Sequence, residues 1–259
     1  MVKRKRLRNY LDKQFNGMKE NLNQVSEVMD DDKLHDLRLN AKKVKAVSGF
    51  LKESLNDKKK YSVKELSELF HITGDIRTAQ LNLKAVEDYE IKSEAFKKEQ
   101  IDVIKNDSKE LVGKRKKYNK NISSVRKKIR ENSTAIKNKS AIDFYNDNIK
   151  VLSNNLKLID ENNLHDSRKI IKKLLYSLKL LPASLMQKLN VNKDYLDKMQ
   201  DLIGNWHDTA VTVDLLTKAG AVEDEHLAAL KKKKQDQFEN IIQETKDFDN
   251  NIRLSKAEN

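Results

Sequence analysis

The chain of 259 residues contains no cysteine. That excludes disulfides, thiolate zinc sites, iron–sulfur clusters and thiol nucleophiles. One proline and six glycines are too few for the many tight turns of a sandwich or barrel. Aromatic residues make up only 6%. No run approaches the ~20 apolar residues of a membrane span. The basic start, residues 1–14, lacks the apolar stretch of a signal peptide. Phosphate loops and nucleophile elbows are missing, and the five histidines show no metal-ligand spacing. These gaps lead us to expect long helices with few connections. They also lead us to expect a soluble cytoplasmic protein with no cofactor, no metal, no membrane partner and no catalytic role.

What the chain has is charge. Lys and Arg number 53 against 40 Asp and Glu, a formal charge of +13 and a pI near 9.5. Apolar residues, at 37%, still suffice for a core at this length. A strongly basic balance suits an anionic partner: nucleic acid, an acidic surface or a phosphate polymer.

Helical periodicity runs throughout and predicts helices near 3–28, 33–55, 63–80, 83–110, 114–132, 140–160, 164–181, 193–218 and 224–254. Pro182 should end a helix after Leu180 and Leu181, because it removes a donor and restricts its predecessor. Asp30, Asp31 and Asp32 read as an N-cap cluster, as do Asn162 and Asn163.

An internal repeat is the most informative pattern. Residues 34–45 read LHDLRLNAKKVK and residues 164–175 read LHDSRKIIKKLL. Leu, His, Asp, Arg and a Lys pair recur at identical offsets, 130 residues apart. Downstream, Gly74-Asp75 and Gly204 with Asp208 keep the same order, the aspartates 133 apart. The reading is an all-α protein of two helical-bundle repeats, 1–132 and 133–259.

On a helical wheel His35, Arg38, Lys42 and Lys45 share a sector of about 80°. Leu37, Val44, Val47, Leu51 and Leu55 lie nearly opposite. In the second repeat His165, Arg168, Lys172, Tyr176 and Lys179 share a face, with Ile170, Leu174, Leu178 and Leu181 behind. Neither stripe holds an acidic partner at helical spacing, so its charges repel one another. Such a concentration of cations makes sense where an anion binds.

These segments resemble the signature of the CHAD family, the conserved histidine α-helical domain. The first-half pattern is carried by His35, Arg38, Lys42, Lys43 and Lys45, and the second by His165, Arg168, Lys169, Lys172, Lys173, Leu174 and Tyr176. Met199–Gly204, Asp208 and Val211 match a third segment. Leu175 stands where the family usually has Arg, and His71 and Gly74 depart from the first-half motif. The resemblance implies two antiparallel bundles about a pseudo-two-fold axis, with basic helices lining a central cavity. It also implies a non-catalytic binder of inorganic polyphosphate (phosphate or sulfate ions standing in for it), associated with polyphosphate granules.

Polyphosphate suits these residues. A helical turn rises ~5.4 Å, so a stripe offers a cation at each turn to a chain with a charge on every phosphate. Arg grips oxygens through its fork and Lys acts as an adjustable point charge. Two roles are open to His35 and His165: donating to a phosphate, or orienting a neighbour. Crowding by cations favours the neutral ring in the empty site, so binding should be tighter at pH 6 than at pH 8. Asp75 and Asp208 either pair with Arg38 and Arg168 or bridge to phosphate through a cation.

Residues 111–130 hold nine Lys and Arg and no acid, either a solvated face or an extension of the basic surface. Arg126 and Arg130 from that run, with Arg4 and Arg8 at the N-terminus, form the candidate peripheral surface. Lys231–Lys234 point all round a helix and read as solvation, and Trp206 reads as core. Two rivals remain: a histidine phosphotransfer module, given the His-x-x-Arg spacing, and a generic polyanion or nucleic-acid binder, given the charge.

Overall fold

The computed structural model describes residues 1–25, 31–219 and 225–254. Eleven α-helices are described: α1 (Arg4–Gln24), α2 (Asp31–Ser54), α3 (Ser67–Asp88), α4 (Glu94–Gly113), α5 (Arg115–Asn132), α6 (Asn138–Lys157), α7 (Glu161–Leu178), α8 (Ala183–Leu189), α9 (Lys193–Lys218), α10 (Glu225–Thr245) and α11 (Phe248–Asn251). A 3-10 turn, Lys64–Leu66, precedes α3. The protein is all-α. Among the described residues β-pairing is limited to isolated bridges, Val2 with Ile136 and Val191 with Arg253.

Helix ends account for most departures from the sequence reading. The break expected near residues 81–82 falls at 89–93. There Glu90 adopts φ 49° and Ile91 N–H donates back to Val86 O at 2.9 Å, a left-handed cap that satisfies the last carbonyls. Asn56, at φ 48°, closes α2 the same way, with Asp57 N–H donating to Lys52 O. Neither cap uses glycine, so neither leaves the usual sequence mark. Helix α7 starts at Glu161 because Asp160 is its cap, its side chain accepting from Asn163 N–H at 2.7 Å. Asn162 and Asn163 therefore lie inside the first turn. The chain leaves α7 at Leu178, and Pro182 opens the short α8, an element not expected. The expected helix over 224–254 divides into α10 and α11. Helix α2 begins at Asp31; Asp30 lies outside the described residues.

Helix α2 buries Leu34, Leu37, Ala41, Val44, Val47, Phe50 and Leu51, a stripe at three- and four-residue spacing. Helix α7 buries Leu164, Ile171, Leu174, Leu175 and Leu178. Ile170, expected in that stripe, is only partly buried against the core. The main core is continuous from Val2 to Ile252 and joins both halves of the chain. Phe50 of α2 meets Phe144 of α6 edge-on, with ring centroids 4.8 Å apart. A smaller cluster ties the C-terminal ends of α3 and α9 to Ile91, Leu227 and Leu230.

Four helices frame the centre. Helix α2 packs on α3 and α7, α7 packs on α9, and α3 touches α9. Helices α1 and α6 flank α2 and α7. Among the described residues no helix is long and apolar enough to cross a membrane.

Candidate anion-binding site

The apolar faces of α2 and α7 are committed to the core, so their basic faces are set by helical geometry alone. Where each points depends on how the helices cross. Arg38 leaves α2 toward α3, where its Nη1 donates to Phe70 O at 3.3 Å and Thr73 Oγ1 at 3.4 Å. Arg168 leaves α7 toward α9. Each guanidinium lies over a glycine 36 residues further along the chain. A Cβ added at Gly74 would lie 3.0 Å from Arg38 Nη1, and one at Gly204 would lie 3.7 Å from Arg168 Nη2. At Gly74 a larger side chain would displace the guanidinium.

These glycines correct the alignment of the downstream segments. They are 130 residues apart, the same offset as the basic stripes. Ile76 and Ala79 are buried at the same steps as Trp206 and Thr209. Asp75 is thus opposite Asn205, and Asp208 stands one helical turn later, opposite Thr78. The aspartates still serve related ends, since Asp75 acts on Arg38 and Asp208 acts on Arg168.

Lys42 and Lys172 occupy matching positions on α2 and α7, and the charge of Lys42 lowers the pKa of Lys172. Lys172 is lowered to about 8, first by burial, then by Arg168 and Lys42. Lys42 is lowered by burial, then by Arg38 and Arg168. Its side chain is nevertheless exposed. Lys42 is thus accessible and yet partly desolvated by its neighbours. Arg38 is lowered as well, chiefly by burial. So cations from both stripes, Arg38, Lys42, Arg168 and Lys172, cluster where α2 packs on α7.

Counter-ions are scarce there. Among the described residues the side chains of Lys42, Arg168 and Lys172 make no ion pair or hydrogen bond, and Arg168 Nε is buried without a partner. Asp208 acts on both lysines from α9 but pairs with neither. It is held below the usual carboxylate range first by His207 and then by Arg168 and Lys172. His207 Nδ1 lies 3.5 Å from Asp208 Oδ1, too long for a good hydrogen bond.

The remaining predicted residues divide. Lys43 is lowered by burial and then by Lys179 and Lys13, so these three cations form a second group beside the first. Tyr176 feels Arg168 and is close to Tyr10, whose hydroxyl burial pushes up to about 12. His165 is exposed and stacks on His207, with centroids 5.6 Å apart. Burial and then Lys169 and His207 lower its pKa. His35 is exposed one turn before Arg38. Lys45 acts instead on Lys52, two turns further along α2. Lys169 pairs with Asp166 at 3.0 Å. Lys173 pairs with Glu53 at 2.9 Å and lies over the Phe144 ring.

The peripheral surface is largely self-neutralised. Arg126 and Arg130 both pair with Asp12, at 2.8 and 2.6 Å. Arg8 donates to Arg130 O, and exposed Arg4 is its neighbour. Lys114 and Lys117 pair with Glu68, and Lys128 with Glu65. The run at 111–130 thus finds its acids on other elements. Trp206 is buried, and Lys234, expected to be solvated, pairs with Glu161 at 2.6 Å beside it.

Lys13, Tyr10 and His207 are the site neighbours that the sequence reading left out. Lys13 and Tyr10 sit on α1, outside the repeated motif, and carry no signal of their own. His207 was legible, since it lies three residues after Gly204 on the same helical face.

An all-helical protein with an uncompensated cluster of cations between paired basic helices is the class that these observations define. The chain belongs to the CHAD domain family, whose model matches residues 9–217. No curated protein matches it. Among solved structures it is similar to the crystal structure of the CHAD domain from the plant Ricinus communis. The TM-score is 0.64 at 14% identity, covering 95% of this chain and 92% of that one. At that identity the likeness speaks for the fold.

Proposed function

We propose that this protein binds inorganic polyphosphate, without turnover, across the cation cluster at the α2–α7 crossing, and that it acts in the cytoplasm at polyphosphate granules. One observation carries the reading. Arg168 depresses both Lys42 and Lys172, and among the described residues none of the three has a counter-ion, while the equally basic run in α5 is matched by acids. Uncompensated charge costs stability, and a polyanion removes that cost. Lys43, Lys179 and Lys13 extend the row, so a linear chain of phosphates fits better than a single ion. In this reading the halves 1–132 and 133–259 act as one unit, each giving one wall of the site.

Competition titrations test the ligand. Polyphosphate should displace labelled polyphosphate at least tenfold better than DNA or RNA at matched phosphate concentration. Equal displacement would reduce the protein to a generic polyanion binder.

The pH dependence tests the site. Lys172 titrates near 8 when empty, and a bound anion returns it toward the ordinary lysine value. Binding then takes up a proton, and affinity should fall about tenfold from pH 7 to pH 9. His165, lowered in the empty site, adds a further gain toward pH 6. Lys172→Arg should flatten the profile above pH 7, because Arg stays charged. A profile unchanged by that substitution would remove Lys172 from the site.

A further inference from the structure

The feature that turns Lys172 into a binding group also gives it a chemistry of its own. It is half-buried but open to solvent and has no ion pair among the described residues. Arg168 lies one turn before it on the same face of α7, and Lys42 faces it from α2. Two cations thus flank a lysine amine that no described residue neutralises.

We propose that Lys172 is a modification site, acylated by small acyl phosphates whose phosphoryl group is held by Lys42 and Arg168. The Nζ lone pair attacks the acyl carbon. The bond from that carbon to the phosphate oxygen breaks, and inorganic phosphate leaves with the electron pair. Nζ gives its proton to water, and a neutral amide remains. The site loses one positive charge and its affinity for polyanions drops.

The amine is prepared for this. Burial, Arg168 and Lys42 push its pKa down to about 8, against a weaker opposing pull from Asp208 on α9. Roughly a quarter of Lys172 is therefore neutral at pH 7.5, against about a thousandth for a lysine of ordinary pKa. A less basic amine is a weaker nucleophile, which takes back part of that advantage. The net excess in rate is on the order of twentyfold. Lysines held by carboxylates go the other way: Lys114, between Glu110 and Glu68, is raised. Lys42, Lys43 and Lys52 are lowered too, each chiefly by burial.

This inference shares the anion site with the function proposed above but does not need polyphosphate as its ligand. The full-length protein is treated at pH 7.5 with acetyl phosphate and, separately, with the uncharged N-hydroxysuccinimidyl acetate. Occupancy at each lysine is followed in time by peptide mass spectrometry. With acetyl phosphate Lys172 should be modified roughly twentyfold faster than exposed Lys231, Lys232 and Lys233. Arg168→Gln should slow acetyl phosphate at Lys172 several-fold more than it slows the uncharged reagent, because it removes the phosphoryl grip as well as the depression of the amine. Polyphosphate binding is titrated on the same preparation. Fast labelling of Lys172 supports the inference whether or not polyphosphate binds. Labelling no faster than at Lys231 overturns it, even in a protein that binds polyphosphate well, and equal slowing of both reagents overturns the phosphoryl grip.

Discussion

Lys42→Gln with Lys172→Gln should weaken polyphosphate binding about a hundredfold while making the protein more stable. Each lysine offers a charge-assisted hydrogen bond to phosphate at ~1.5 kcal/mol, so two amount to about 3 kcal/mol, or two decades of affinity. The stability gain comes from the same charges. Lys172 falls from 10.5 to about 8, and after allowance for solvent screening that corresponds to ~1–2 kcal/mol of destabilisation. At this chain length 1 kcal/mol moves the midpoint by ~2–4 °C. The sign also sets a pH window. Lys172 binds its proton more weakly in the folded state, so the wild type should gain stability as pH rises from about 8 toward 10, and the double variant should lack that gain. Lys231→Gln with Lys232→Gln removes equal charge from exposed positions and should leave both properties within twofold and 1 °C. Equal loss of affinity in the two variants would show that net charge, and not this site, holds the ligand. Lysines are the better targets than Arg38, because Arg38 is bonded to Phe70 O and rests on Gly74. Reversing its charge would disturb the α2–α3 packing, contrary to what its place on a polar face implies.

Raising salt from 50 to 200 mM should cost the wild type about a hundredfold in affinity. Of the seven cations in the cluster and its extension, roughly five would meet successive phosphates of one chain. For a single-stranded polyanion the logarithmic slope is about −0.7 per phosphate neutralised. Five contacts give a slope near −3.5, or about two decades over a fourfold change in salt. The double glutamine variant should show a slope shallower by ~1.4. A wild-type slope near −1 would mean that the ligand touches one or two cations, and the linear site would be wrong.

Much of the fold was legible because it rests on local periodicity. The apolar stripes of α2 and α7 appear in the structure nearly residue for residue, since burial at three- and four-residue spacing follows from helical geometry. The caps at Glu90 and Asn56 were not legible, because a left-handed cap without glycine leaves no compositional trace. The true offset of Gly74 and Gly204 was hidden by the more conspicuous aspartates nearby. Lys169 and Lys173 sit within the repeated motif as visibly as Lys172, yet both find acids.

The sequence by itself determined that the chain is helical, that its strongest pattern occurs twice, and that each copy carries cations opposite its apolar face. Those are consequences of residue order along a helix. Which cations meet was decided only by the crossing of α2 over α7. That crossing brings Lys42 to Lys172 and carries Lys173 to Glu53 on the other side. Helix packing is driven by burial of apolar surface, which has no preference for the company the charges on the far side will keep. Their pairing or isolation is therefore a property of the assembled fold.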